Sequence, residues 1–550
     1  MKKITIKFTD NSSIEVENEI RPVTILERLG GNGRKIIAVK ADNEIQSLDT
    51  PVDISCTLEP VFLDTKEGSA IYRRSLCFVL AAAAQKLFPT ARLLVGHSLG
   101  YGYYYTLDTG KPLSEDQISA LKTQMDKIIS EDKVIETEFI SYKEACELLE
   151  KLNLTETRKQ LNYRCPAKIK INRMDDFSDV YFGPLTSSTG CLKVFELKPY
   201  HEGFLLRFPK HDSPDSLTEF KDQPKLFQIY KRYKEWGKRL NVTSAASLNQ
   251  LIHDRQITDF INITETLQVK CISDIAAQIQ EKKTARVVLI AGPSSSGKTT
   301  TSKKLSLQLQ ALGYTPKVIS LDSYYVGRAE TPKDENGNYD YECLEALNIK
   351  LLNENLVDLF EGKTIKLPSY DFHEGVSYFK GDTMNLGPSD ILVMEGIHGL
   401  NDKLTPLVPA EYKFKIYLSA LTQLNLDDHN RIATSDNRLI RRIVRDSQFR
   451  GKSAADTIGM WDNVQKGERL HIFPFQNNAD AMLNTALDYE LAVLKVYAEP
   501  LLRCVTPNQK EYSEASRLLQ FLNFFSTLPA TAVPNQSIIR EFIGGSAFHY

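Results

Sequence analysis

The sequence predicts an α/β domain, a parallel sheet with helices on both faces, preceded by a β-grasp module and an α+β domain. Three observations point there. From Ala285 onward, continuous apolar runs (Arg286–Ala291, Lys317–Leu321, Asp390–Met394 and, more weakly, Tyr412–Leu418) alternate with helical patterns. Such runs suit strands buried on both faces, and strands alternating with helices imply a parallel sheet. At the other end of the chain, short strands with period-two alternation fill the first 62 residues. Finally, 550 residues are too many for one ordinary core.

Lys3, Ile4, Thr5, Ile6, Lys7 and Phe8 alternate, Asp10–Ser13 reads as a turn, and Ile14 and Val16 alternate again, which makes a hairpin with one buried face. A short helix, Val23–Leu29, ends at Gly30-Gly31, and strands follow at 35–40 and 55–62. Residues 71–88 predict a helix with an alanine-rich middle, and 113–150 two helices separated by a strand at 134–140. Residues 214–282 are helical in pattern with charged faces, and a last helix is predicted at 511–526. The domain boundaries follow: 1–62, 63–213, a helical linker at 214–283, the parallel α/β domain at 284–504 and a helical tail at 505–550.

Composition is that of a globular chain, 42% hydrophobic and 25% charged, with a net charge of −2. No overall basic excess points to nucleic acid or an anionic membrane. The longest apolar run, Leu76–Ala84, is nine residues, where a bilayer takes about 20. The N-terminus shows no signal peptide pattern, so a cytoplasmic protein is expected. Eight scattered cysteines with no C-x-x-C pair argue against zinc ribbons and a disulfide framework.

After the first apolar strand of the α/β domain comes "GPSSSGKTT", residues 292–300, which fits G-x-x-x-x-G-K-[ST] through Gly292, Gly297, Lys298 and Thr299. Glycines let the backbone turn so that successive N–H groups surround phosphate oxygens; the ATP-binding stretch is Gly292, Pro293 (which turns the chain but has no N–H), Ser294, Ser295, Ser296, Gly297, Lys298, Thr299 and Thr300. The next helix presents its N-terminus to the same anion. Lys298 reaches the terminal phosphates and Thr299 holds Mg²⁺. A strand before and a helix at 298–312 after supply the required context. The N-K-x-D and L-S-G-G-Q motifs of GTPases and transporter ATPases are absent.

The next strand ends at Asp322, at the carboxyl edge where ligands of open α/β sheets bind. It either accepts the proton of an attacking hydroxyl or caps the following segment. Another strand ends at Glu395, which either holds Mg²⁺ or sits in a structural turn. Arg438, Arg441, Arg442, Arg445 and Arg450 lie within residues 438–450, and the first four share a broad helix face. That face is either solvated or a lid that closes over transferring phosphate.

Together these stretches resemble the uridine kinase branch of the phosphoribulokinase/uridine kinase family. "GPSSSGKTT" is similar to its P-loop, "LDSYY" to its second-strand motif, and "NYD" (338–340) to its ribose-binding pair. "LPSYDF", "EGIHGL" and "RLIRRIVRD" are similar to later motifs in the same order. The resemblance implies transfer of the ATP γ-phosphoryl group to the 5′-hydroxyl of a nucleoside with Mg²⁺. It implies Asp322 as base, Tyr325 and Tyr370 lining the nucleoside pocket, and Asp340 on the ribose. Arg442 and Arg445 would lie on phosphates and substrate. Where uridine-cytidine kinases carry a base-reading His, this sequence has Gly375; the nearest His, His373, either reaches the base or packs in a loop.

Residues 1–62 resemble the TGS domain of threonyl-tRNA synthetase, and "AAAAQKLFPTARLLVGHSLGYGYYYTLD" (81–108) resembles that enzyme's editing domain. Arg74, Phe78, Tyr181 and Leu185 fall at its four functional positions. Phe78 and Leu185 have neither donor nor acceptor, so editing chemistry is not expected. His97 stands alone, as structural histidines do.

The reading is therefore an ATP- and Mg²⁺-dependent nucleoside kinase behind a degenerate synthetase-like half. The alternatives are a kinase of another sugar-like hydroxyl and an RNA-binding regulatory ATPase. RNA contact through the first half and self-association stay open, and no membrane association is expected.

Overall fold

A computed structural model describes residues 3–30, 33–335, 337, 339–371 and 374–549. The chain divides into two units. The first comprises 1–255, 423–433 and 499–527; the second comprises 256–422, 434–498 and 528–550. The stretch read as a linker, 214–283, is divided between them at 255, and the 505–550 tail at 527.

In the first unit the alternation of residues 3–8 becomes β1 (Lys3–Phe8), which buries Ile4, Ile6 and Phe8 and exposes Lys3 and Lys7. Asn11, at φ 66, turns the chain into β2 (Ser13–Glu17). With β3 (Ile36–Ala41), β4 (Glu44–Ser47) and β5 (Cys56–Phe62) they form a sheet of order β2-β1-β5-β3-β4. The central β1–β5 pair is parallel. The predicted helix at 23–29 is a 3-10 segment, Pro22–Leu29. This is the expected β-grasp arrangement.

α1 (Lys66–Leu87) starts where the Thr65 hydroxyl accepts from Gly68 N–H, the usual N-cap. Its alanines 81–84 are buried. Next come β6 (Arg92–Ser98), β7 (Gly102–Asp108), α2 (Glu115–Ser130), β8 (Glu136–Ser141), α3 (Tyr142–Lys151) and α4 (Thr155–Gln160). Then come β9 (Lys168–Met174), β10 (Phe177–Asp179), β11 (Glu196–Tyr200) and β12 (Gly203–Arg207). They make sheets β10-β9-β8 and β11-β12-β7-β6. α2 and α3 both begin with a capping box, Ser114/Gln117 and Ser141/Glu144. α5 (Pro224–Arg239) and α6 (Ala245–His253) follow.

The late stretches are integral to this unit. Val95 N–H donates to Asp428 O (3.0 Å), and the Asn425 amide donates to Val95 O (2.7 Å). The Phe524 carbonyl accepts from Gln160 (2.6 Å) and Asn249 (2.8 Å).

In the second unit, α7 (Ile257–Glu281) precedes β13 (Val287–Ala291), α8 (Lys298–Ala311), β14 (Thr315–Ser320) and α9 (Ile349–Phe360). The hairpin β15 (Ile365–Asp371)–β16 (Val376–Met384), β17 (Asp390–Glu395) and β18 (Lys413–Ser419) follow. Then come α10 (Thr434–Phe449), α11 (Ala454–His471), β19 (Ala481–Asn484) and α12 (Glu490–Arg503). Strands β14-β17-β13-β18-β19 form one sheet, parallel throughout. Every residue of β13 and β18 is buried, as doubly covered strands require. Among the described residues no helix is long and apolar enough to cross a membrane.

Candidate active site

β13 runs into the loop 292–297 and the loop into α8. A Cβ at Gly292 would lie 2.5 Å from Leu418 O, so the β18 backbone leaves room only for glycine. Gly297 sits at φ 80 and Ser295 at φ 58, the left-handed conformations that turn successive N–H groups inward. The Lys298 ammonium folds back over the loop, donating to Gly292 O (3.1 Å) and Pro293 O (3.4 Å). Pro293, Ser294 and Ser296 complete the turn, and Thr299 and Thr300 open α8. The hydroxyls of Ser295 and Ser296 are buried with no hydrogen-bond partner. A glycine-walled cradle with unsatisfied hydroxyls fits a phosphate group.

The neighbouring strands bring carboxylates to the loop. β14 and β17 pair in register, Ser320 opposite Glu395, and Asp322 follows at once in the 3-10 turn Leu321–Tyr324. Glu395 accepts from the Thr299 hydroxyl (3.3 Å) and the Ser320 hydroxyl (3.2 Å). Burial, and then the nearby Asp322, push its carboxyl up to about 7. Two hard oxygen ligands, Thr299 and Glu395, beside a phosphate cradle are the donor set Mg²⁺ takes when phosphates and water complete its shell.

The arginines of α10 do not form a free lid face. Arg441 is 0% exposed and Arg438 3%, and both hold the P-loop from beneath. Arg438 is paired twice with buried Glu468, once at 2.6 Å, and donates to Ser294 O (3.1 Å). Arg441 donates to Glu490 (2.9 and 2.5 Å), Ser295 O (3.2 Å) and Thr485 O (2.8 Å). Buried backbone carbonyls and a carboxylate on α11 or α12 take up these charges, which is why they turn inward. Arg442 donates to the Ser294 hydroxyl (2.7 Å), and burial lowers its pKa. Arg445 pairs with Asp446 (2.8 Å). Burial would raise the Asp446 carboxyl, but Arg445, Arg442 and Arg450 hold it below its ordinary value.

Past the 3-10 turn, the rings of Tyr325 and Tyr370 meet at a tilt, with centroids 5.5 Å apart. The Tyr325 hydroxyl donates to Tyr341 O (3.1 Å), and Tyr341 lies 6.0 Å from Tyr339. Burial, then Asp322, raise the Tyr325 phenol well above its ordinary value. Asp340 accepts from Glu342 N–H (3.0 Å), so it also fixes its own turn. Gly375 lies at φ 73, and a Cβ there would be 2.7 Å from Arg328 Nε. Arg328 N–H donates to Gly375 O (2.8 Å), so the side chain standing at this position is that of Arg328. His373 lies outside the described residues.

Several residues escaped the sequence reading. Glu342, facing Gly467, is pushed up to about 7 by burial despite Arg442. Glu468, Glu490 and Glu541 all touch the P-loop or its supports. For Glu468, Glu490 and Glu541 the available signal was an acidic residue among apolar or basic neighbours in a helix.

In the first unit the four synthetase-like positions are filled. Phe78 packs on Phe177 (5.0 Å) and Tyr181 (5.5 Å). Leu185 is buried. Arg74 donates to Pro184 O (2.7 Å), with its pKa lowered to about 10 by burial. His97 stacks on Tyr230 (5.7 Å) and is held near 3 by burial. Aromatic packing therefore surrounds the Phe78 position.

A P-loop between a parallel strand and its helix, with a carboxylate at the end of each of two neighbouring strands, defines the second unit as a P-loop kinase fold. Residues 287–492 match the sequence model of the Phosphoribulokinase / Uridine kinase family. A solved structure of a possible uridine kinase from Bacillus stearothermophilus is 21% identical over 36% of this chain and 89% of that one, with a TM-score of 0.24. The N-terminal region is similar to threonine–tRNA ligases. That of Oleidesulfovibrio alaskensis is 28% identical over 42% of this chain and 36% of its own length. That of Acetivibrio thermocellus is 32% identical over 36% of this chain and 31% of its own length. The chain thus spans about a third of the curated relatives it matches.

Proposed function

We propose that this chain is a nucleoside kinase, which transfers the ATP γ-phosphoryl group to a nucleoside 5′-hydroxyl. The observation that supports the reading is a chain of neighbours: Thr299 of the P-loop donates to Glu395, Asp322 lies near both Glu395 and Tyr325, and Tyr325 meets Tyr370. Bound Mg-ATP supplies the phosphoryl group and the metal's charge. The chain does the rest. Thr299 and Glu395 are the residues that would hold Mg²⁺, and Lys298 and Arg442 face the phosphates.

Asp322 takes the proton from the acceptor hydroxyl as its oxygen bonds to the γ-phosphorus. The bond from that phosphorus to the β-phosphate oxygen breaks, and ADP leaves. Tyr325 and Tyr370 stack the base and exclude water, Asp340 binds the ribose hydroxyls, and Arg328 stands at the rim where the base edge would lie. The first unit, without editing residues, is read as a binding or regulatory module in a cytoplasmic enzyme.

ADP formation from Mg-ATP, measured with and without a panel of nucleosides, tests this. Stimulation by at least one nucleoside is expected. No stimulation by any nucleoside, with stimulation by tRNA instead, overturns the reading in favour of an RNA-regulated ATPase.

A further inference from the structure

The P-loop already holds an anion of the chain's own. Thr301 N–H bonds back to Gly297 O, so α8 leaves its earlier N–H groups pointing at the loop. One of them, on Thr300, donates to Glu541 Oε2 at 3.1 Å, and the Thr300 hydroxyl donates to the same oxygen at 2.6 Å. A carboxylate at these donors stands where a helix N-terminus takes a phosphate oxygen.

The segment that delivers Glu541 is built for the position. A short helix, Arg540–Ile543, carries it. Ile538, Ile539 and Phe542 are all 0% exposed. A Cβ on Gly297 would lie 2.7 Å from Ile538 Cγ2, so the segment lies directly on the loop's second glycine. Phe542 packs on the Arg441 guanidinium at 5.1 Å. Arg540 anchors the turn by donating to Ala530 O (2.8 Å) and Val533 O (2.6 Å). The loop's carbonyls are held separately by Arg438, Arg441 and the Thr485 hydroxyl. The loop therefore does not depend on Glu541 for its shape.

The geometry points to an autoinhibitory gate: the 528–549 segment competes with nucleotide for the P-loop, and Glu541 must leave Thr300 when phosphate enters. Displacing Glu541 releases the Thr300 N–H and hydroxyl to a phosphate oxygen in one event. A plain helix cap would stabilise α8 without responding to nucleotide, and this difference is measurable.

This inference rests on the nucleotide-binding reading of the P-loop, and the test separates the two. In the full chain, ADP binding without acceptor is measured by calorimetry for the native protein and Glu541→Gln. The amide keeps a neutral acceptor, so the fold is retained. ADP should bind the variant about ten-fold tighter, the worth of one charge-assisted hydrogen bond no longer displaced. Trypsin cleavage after Arg540 in the native protein should accelerate when ADP is added. Equal or weaker binding by the variant, or protection of Arg540 by ADP, overturns the gate while leaving nucleotide binding intact. Absence of ADP binding in both folded proteins overturns the nucleotide reading itself, and the gate with it.

Discussion

The Arg441 guanidinium and the Glu490 carboxylate, both essentially sealed from solvent, meet in a two-pronged ion pair at 2.9 and 2.5 Å. Arg441's remaining N–H groups reach the Ser295 and Thr485 carbonyls. Removing one partner leaves the other charge buried and unpaired, which costs about 3–5 kcal/mol. Glu490→Gln should lower the unfolding midpoint markedly and weaken ADP binding, because the loop loses its support. A melt and a titration on the same sample check both.

Asp322 lies in the turn just past the Ser320–Glu395 pair. Asp322→Asn should lower kcat by about 10²–10⁴-fold, the span of general-base contributions, while leaving ADP affinity unchanged. Retained turnover would remove Asp322 as the base.

The Thr299 hydroxyl donates to Glu395. Thr299→Val keeps the side chain's shape and deletes that oxygen. The Mg²⁺ concentration for half-maximal activity should rise about ten-fold, with the fold unchanged by circular dichroism.

Tyr370 faces Tyr325 across 5.5 Å. Tyr370→Ala should raise the KM for the nucleoside about ten-fold, since base stacking is worth about 1–3 kcal/mol by such truncation. The KM for ATP should stay constant. A change confined to ATP would place Tyr370 elsewhere in the reaction.

Burial, and then Asp179, push the Asp427 carboxyl up from 3.8 to about 7. The folded chain therefore keeps a proton there that the unfolded chain has released. Folding takes up a proton between those values, so stability falls as pH rises from about 4 to 7. His429, raised by Asp179 against the effect of its own burial, acts in the same direction. Thermal midpoints across pH 4–8 should show the decline, and Asp427→Asn should reduce it.

The parallel sheet was legible because β13, β14 and β17 are apolar runs ending at glycine or a carboxylate. β19 was not: it has four residues, only two of them fully buried, in a stretch of Asn and Ala. The β15–β16 hairpin was missed because nearly all of β16 is exposed, so no alternation marks it. The 438–450 arginines showed their spacing but not their direction. Their partners lie 30 and 49 residues away, and a helix pattern says which residues share a face, not what covers it. Glu541 is 241 residues from Thr300, beyond any local signal.

The first unit is drawn from 1–255, 423–433 and 499–527. A ribosome delivers the second and third of these only after the P-loop and strands β13, β14, β17 and β18 have emerged. Val95 and Gln160 therefore wait for Asp428 and Phe524 through most of synthesis. The early sheets have to persist, or be chaperoned, without these late hydrogen-bond partners. Splitting the gene anywhere between 213 and 284 gives a first product that lacks residues of its own unit.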